Sequence, residues 1–111
     1  MFNSNIFGKD SEQKAVKFLK KQGLTILERN FHSRFGEIDI IAKEENLLHF
    51  IEVKSTSKNY DALHRITSQK LEKIIKTVNY FYIQNELNCD YQIDAIVVNS
   101  EKIEWIKNID Y

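Results

Sequence analysis

The sequence predicts an α/β domain, a mixed β-sheet with helices packed on it in the order α-β-β-β-α-β-β. Two segments carry apolar residues at helical spacing, and five others are short, apolar and rich in β-branched residues. The strands at 37–42 and 47–54 are joined by a connection short enough to require an antiparallel hairpin. With 111 residues and no Pro, Gly or Ser-rich linker, the chain reads as one domain, 1–111.

The first helix is expected from about Asp10 to Gln22. Asp10 or Ser11 can cap it, Ala15, Val16 and Leu19 share a stripe, and Gly23 can end it. Leu24 to Phe31 reads as a strand, and residues 30–36 as a polar loop flecked with aromatics. Glu37 to Ala42 and Leu47 to Lys54 form the hairpin. A long helix follows from about Ala62 to Gln84, with Leu71, Ile74, Ile75, Val78, Phe81 and Tyr82 on its apolar stripe. Tyr91 to Val98 is the most β-branched strand, and Lys102 to Ile106 a short last one.

Composition excludes several classes. Apolar residues at 42% and charged residues at 29% rule out collagen-like and disordered chains. No apolar run approaches the length needed to span a bilayer, so no membrane partner is expected. Residues 1–10 lack the basic start and apolar block of a signal peptide, and the expected location is the cytoplasm. The single cysteine, Cys89, excludes an internal disulfide and a cysteine-rich zinc site. Net charge is zero, yet residues 54–76 hold a local excess of cations: Lys54, Lys58, Arg65, Lys70, Lys73 and Lys76. Such a surface suits phosphates as well as it suits a solvated helix face.

The acids inside the apolar strands carry the chemistry. Alternation puts Glu37, Asp39 and Ile41 on one face of their strand, opposite to Ile38, Ile40 and Ala42. In the next strand Leu48, Phe50, Glu52 and Lys54 share a face. A connection over Glu44 to Leu47 sets Asp39 opposite Glu52. A two-residue connection sets Glu37 opposite Glu52, with Asp39 one diagonal away. Either register crowds carboxylates on a half-buried face, where they repel and resist desolvation unless a cation joins them. Lys54 can supply part of that charge, and a hard divalent cation, Mg²⁺ or Mn²⁺, would supply more. Glu12 falls on the inward stripe of the first helix and is a further candidate ligand, or else an acid favoured by the first turn. Lys70 falls on the inward stripe of the second helix, with Gln69 beside it. A structural reading, in which Lys54 and Lys70 merely satisfy the acids, is open at this point.

Gly36-Glu-Ile-Asp39 followed by Ile51-Glu-Val-Lys54 resembles the core of the restriction-endonuclease-like PD-(D/E)xK nucleases. The chain is more closely similar to the YraN family of small bacterial proteins, through Gly8, Glu12 and Ala15, Arg29-Asn30, Gly36 to Asp39, Ile51 to Lys54, Lys70 and Ile93-Asp94. It departs at Ile38, where the superfamily has proline, at Ser11 and Ile93, and at Ser55-Thr56, where relatives carry Thr-Arg.

The resemblance implies a restriction-endonuclease-like fold and a metal-dependent endonuclease acting on DNA, with branched or damaged DNA as a substrate class. Asp39, Glu52, the Val53 carbonyl and Glu12 would hold Mg²⁺ or Mn²⁺. Lys54 would orient or deprotonate water, or stabilise developing charge. Glu37 would orient the ligands, and Lys70 and Gln69 would hold a phosphate at the rim. Lys58, Arg65, Lys73 and Lys76 would follow the DNA backbone. Phe31, His32, Arg34 and Phe35 would touch unpaired bases, join a homodimer contact or simply pack. Asp94 is expected to be structural. The alternative is a catalytically inactive module with this fold that binds nucleic acid or protein.

Overall fold

A computed structural model describes residues 4–56 and 66–110, with side chains from Asp10 onward. Its elements are α1 (Ser4–Lys21), β1 (Thr25–His32), β2 (Glu37–Glu44), β3 (Leu47–Ser55), α2 (Ser68–Gln84), β4 (Asp90–Val98) and β5 (Ile103–Ile106). The strands form one sheet in the order β1-β2-β3-β4-β5. All neighbours are antiparallel except β3 and β4, which run parallel because α2 carries the chain back between them. The element order is the one expected.

Each helix covers one face. Ala15, Val16 and Leu19 of α1 pack on Ile40, Ala42, Ile51, Ile96 and Val98. Ile74, Val78 and Phe81 of α2 pack on Ile41, Leu48, Phe50 and Ile93. Among the described residues no helix is long and apolar enough to cross a membrane.

Both helices begin elsewhere than expected. α1 starts at Ser4, so Asp10 lies inside the helix and pairs with Lys14 one turn on (3.3 Å) instead of capping. That places Glu12 well past the first turn and removes the dipole explanation for it. The C-terminus follows expectation: Gly23 takes φ 95°, and Leu24 N–H and Gly23 N–H donate to the Leu19 and Lys20 carbonyls. For α2 the described helix begins at Ser68, where Thr67 accepts a hydrogen bond from Lys70 N–H at 3.2 Å. A threonine in extended conformation with its hydroxyl on the third helical N–H is a strong stop to N-terminal extension, which excludes Ile66 and Thr67 from the helix.

The hairpin register pairs Ile40 with Ile51 and Glu44 with Leu47, the turn narrowing to Glu45 and Asn46. One step further along this register Asp39 is level with Glu52. The regular ladder stops at that step. The next rung would join Ile38 to Val53; instead Val53 N–H donates to Asp39 Oδ2 at 2.8 Å. Ile38 then packs with the α2 cluster, whereas Ile40 and Ala42 pack with α1. The expected common face of Ile38, Ile40 and Ala42 is therefore broken at Asp39, because a carboxylate has replaced a backbone carbonyl in the ladder. Across the sheet, Asn30 lies level with Asp39 in left-handed conformation, φ 53°.

Candidate active site

The irregularity at Asp39 opens the sheet beside the N-terminal half of α2. The resulting cavity, of about 400 Å³, is lined by Gly36, Glu37, Asp39, Glu52, Val53, Lys54, Lys70, Lys73 and Ile74. Acids and cations that are distant in sequence meet here because β2, β3 and α2 each contribute one edge.

Its two inner carboxylates are held at an electrostatic disadvantage. Burial pushes Glu52 up to about 7, and the Asp39 charge adds to that, while Lys54 and Lys70 offset part of it. Burial also raises Asp39, against the lowering effect of the Val53 N–H, and the Glu12 charge raises it further. Lys54 Nζ stands 3.7 Å from Glu52 Oε2, and both side chains are mostly buried, at 17% and 15% exposed. Asp39 and Glu52 repel each other in a confined space with Lys54 as the ammonium beside Glu52, and α2 brings Lys70 and Lys73 to the cavity wall.

The remaining expected residues divide. Glu37 reaches the cavity wall but is exposed and pairs with His32 Nδ1 at 3.1 Å. Glu12 is buried and does not line the cavity. Its Oε1 accepts from Arg29 Nε at 3.0 Å and from Asn30 Nδ2 at 3.1 Å, so it acts on Asp39 from behind the sheet. Lys70 is exposed, on the shoulder of the apolar stripe instead of inside it, and Gln69 is exposed beyond the cavity wall. Lys58 and Arg65 lie outside the described residues. Lys76 is exposed and pairs with Glu72 at 3.9 Å.

The donor set fits a hard divalent cation in its chemistry: two carboxylates that burial and mutual repulsion push up, next to Val53, which stays in register with Ile96 of β4 but has no regular rung to β2. It is smaller than the expected set. Among the described residues no three Asp, Glu, His or Cys side chains converge as metal ligands, so the protein would contribute Asp39 and Glu52 and leave the rest of the shell to backbone and water.

A second carboxylate cluster carries no such imbalance. Asp94 is fully buried. Its oxygens take hydrogen bonds from His49 Nδ1 (2.7 Å), Trp105 Nε1 (3.0 Å), Gln92 Nε2 (2.9 Å) and Asn108 N–H (3.0 Å). Burial pushes this carboxyl up, but those bonds outweigh it and hold it below the usual carboxylate range. Asp94 does not line the cavity, and its four donors suit the structural role expected of it. His49, fully buried and also bonded to Glu44 Oε1 at 3.1 Å, was not foreseen as its partner. The available signal was a histidine standing among Leu47, Leu48, Phe50 and Ile51.

The sequence profile of the uncharacterised protein family UPF0102 matches residues 11–98. A UPF0102 protein of Campylobacter hominis is 59% identical over 103 residues, covering 93% of this chain and 92% of its own. One of Campylobacter concisus is 55% identical, covering 94% and 93%. One of Campylobacter fetus is 49% identical, covering 96% and 95%.

Proposed function

The chain belongs to the UPF0102 family, the YraN group that its motifs resemble, and we propose that it is a metal-dependent endonuclease hydrolysing phosphodiester bonds in DNA. The observation that supports this reading is the Asp39–Glu52 pair: two carboxyls that burial and mutual repulsion push up, in a cavity rimmed by lysines. A purely structural site would not keep such a pair, because apolar or amide replacements fill the same space at lower cost.

Asp39, Glu52 and the Val53 carbonyl would hold Mg²⁺ or Mn²⁺, which supplies Lewis-acid polarisation of the scissile phosphate and an acidified water. The Val53 N–H fixes Asp39 Oδ2 on the cavity wall, and its Oδ1 would be the oxygen offered to the cation. Lys54 sits within reach of the same phosphate. Its ammonium would stabilise the charge that develops on the non-bridging oxygens, or in its neutral form take a proton from the attacking water. Lys70 and Lys73 would hold the flanking phosphates at the rim. Glu12, fixed by Arg29 and Asn30, raises the negative potential at Asp39 and so favours the cation.

The test is cleavage of labelled duplex, single-stranded, flap and four-way-junction DNA, and of RNA, in Mg²⁺ and in Mn²⁺. The expected result is DNA cleavage that falls at least about a hundredfold in both Asp39→Ala and Lys54→Ala. Cleavage unchanged in both variants, or absent from the native chain under every condition, would overturn the reading and leave a binding module with this fold.

A further inference from the structure

The hairpin tip between β1 and β2 has an unusual composition for a tight turn. Residues Ser33 and Gly36 exchange backbone hydrogen bonds (2.8 and 3.3 Å), leaving Arg34 and Phe35 at the tip. Gly, Asn and Asp are the usual occupants of such tips, since they tolerate the backbone and have no apolar surface to expose. This tip is also braced. Phe35 N–H donates to Ser33 Oγ at 3.1 Å, and Ser33 Oγ lies 3.2 Å from Thr77 Oγ1 on α2. Gly36 lies flat against the helix, where a Cβ would touch Lys73 Cβ and Thr77 Oγ1 at 3.5 Å. The phenyl ring is thus held in place by a rigid turn and is not buried by it.

Phe35 meets Tyr80 at 6.5 Å between ring centroids, and Tyr80 meets Phe31 at 6.2 Å. Phe31 belongs to the core at 9% exposed, whereas Tyr80 is 38% exposed and Phe35 half-buried. One cation covers the Phe35 ring, and two more share a helix face with Tyr80. The Arg34 guanidinium lies 4.9 Å over the Phe35 ring. Lys73, Lys76 and Tyr80 are spaced three and four residues apart, so they form one exposed stripe of α2. That stripe starts at the cavity, whose wall includes Gly36 and Lys73, and reaches Tyr80 about 10 Å further along the helix.

We infer that Phe35 and Tyr80 form a stacking platform for an unpaired base of a DNA strand whose phosphates follow Lys73 and Lys76 away from the cavity. A half-buried Phe35 on a braced turn beside the exposed Tyr80 of α2, with cations close by, is complementary to a single strand, which offers flat apolar bases on an anionic backbone. A paired duplex keeps its bases stacked internally and has nothing to place on Phe35. The base takes the position over the ring that the Arg34 guanidinium now occupies, and the guanidinium moves onto the adjacent phosphate. Little ordering is needed at the platform, because the Ser33–Thr77 brace has already fixed it. The inference rests on the proposed function for what occupies the cavity, and it makes unpaired DNA next to the cleavage point the substrate class.

The experiment is a binding titration in which no cleavage is required. Fluorescence anisotropy is read with a labelled single-stranded oligonucleotide and with an abasic strand of equal length, in EDTA and again in Ca²⁺. The two strands carry the same phosphates and differ only in the bases. The expected result is about tenfold tighter binding of the strand with bases. That preference should disappear in Phe35→Ala, weaken in Tyr80→Ala and persist in Phe35→Trp, whose melting temperature controls for folding. Equal affinity for the two strands, a Phe35→Ala variant that keeps the preference, or no binding to either strand would overturn the inference. Base-dependent binding together with no cleavage of the labelled panel in Mg²⁺ and Mn²⁺ would instead remove the nuclease reading and leave the platform standing.

Discussion

Asp39 and Asp94 sit in the same sheet with β3 between them, and burial pushes both carboxyls up, yet they end on opposite sides of the ordinary value. Asp94 is the more deeply buried, yet its carboxyl is held below the usual range. Asp39 is only partly buried, and its carboxyl is pushed up. The difference lies in what surrounds each. Asp94 has His49, Trp105, Gln92 and the Asn108 N–H directed at it. Asp39 has one backbone N–H and three neighbouring acids, Glu12, Glu37 and Glu52, against Lys54. Depth of burial therefore does not decide whether a carboxyl in this sheet is raised or lowered; the donors and charges directed at it do.

The comparison can be broken most severely at Asp94. Asp94→Ala removes the acceptor for two ring N–H groups, an amide and a backbone N–H, and should cost roughly 3 to 5 kcal/mol in urea denaturation. A loss below about 1 kcal/mol would mean that the cluster is not the structural hub described.

The next effect is on pH dependence. Glu52 has a folded-state value of about 7 against an ordinary 4.5, so the folded protein holds this proton more tightly than the unfolded chain does. The metal-free protein should then lose stability as pH rises from 4.5 through about 7, by up to about 3 kcal/mol, and regain it on acidification over the same range. Asp94 acts in the opposite sense. Its lowered value gives stability that is present above 3.8 and lost as pH falls below it. Urea midpoints measured between pH 4 and 8 in EDTA should show the decline, and Glu52→Gln should flatten it. A rising profile across that window would contradict the assignment.

The smallest effect sharpens the contrast. Asp39→Asn keeps an acceptor for the Val53 N–H and removes a repelled charge, so in EDTA it should be neutral or stabilising by up to about 1 kcal/mol. The same change at Asp94 should destabilise, because the charge there is wanted. Equal losses at both positions, read from urea midpoints, would erase the distinction.

Much of this was legible from the chain. Strict alternation in β3 and the short hairpin connection gave two candidate registers, and one of them is the register found. Asp39 in an isoleucine-rich strand and Glu52 two residues before Lys54 were visible as misplaced charges. Other features were hidden because they depend on contacts distant in sequence. The face of Ile38 depends on Asp39 leaving the side-chain row to accept from Val53. His49 meets Asp94 only because β3 and β4 run parallel across α2, a pairing with no local signal. The start of α1 was misjudged because Asp10 reads equally well as a cap and as the first member of a pair with Lys14. The stripe makes Glu12 a candidate ligand or a first-turn acid, and it does not reveal that Arg29 and Asn30 hold its Oε1.

The central claim is that Asp39 and Glu52 are short of a divalent cation. The most direct measurement is the melting temperature in EDTA and in increasing Mn²⁺ or Mg²⁺, at pH 8 and at pH 5.5, for the native chain and for Asp39→Asn. The account predicts a rise of about 5 °C at metal concentrations ten times the dissociation constant at pH 8. The rise should be smaller at pH 5.5, where protons compete for the carboxylates, and absent in the variant. A melting temperature indifferent to both metals at pH 8, or a rise of equal size in Asp39→Asn, would contradict it.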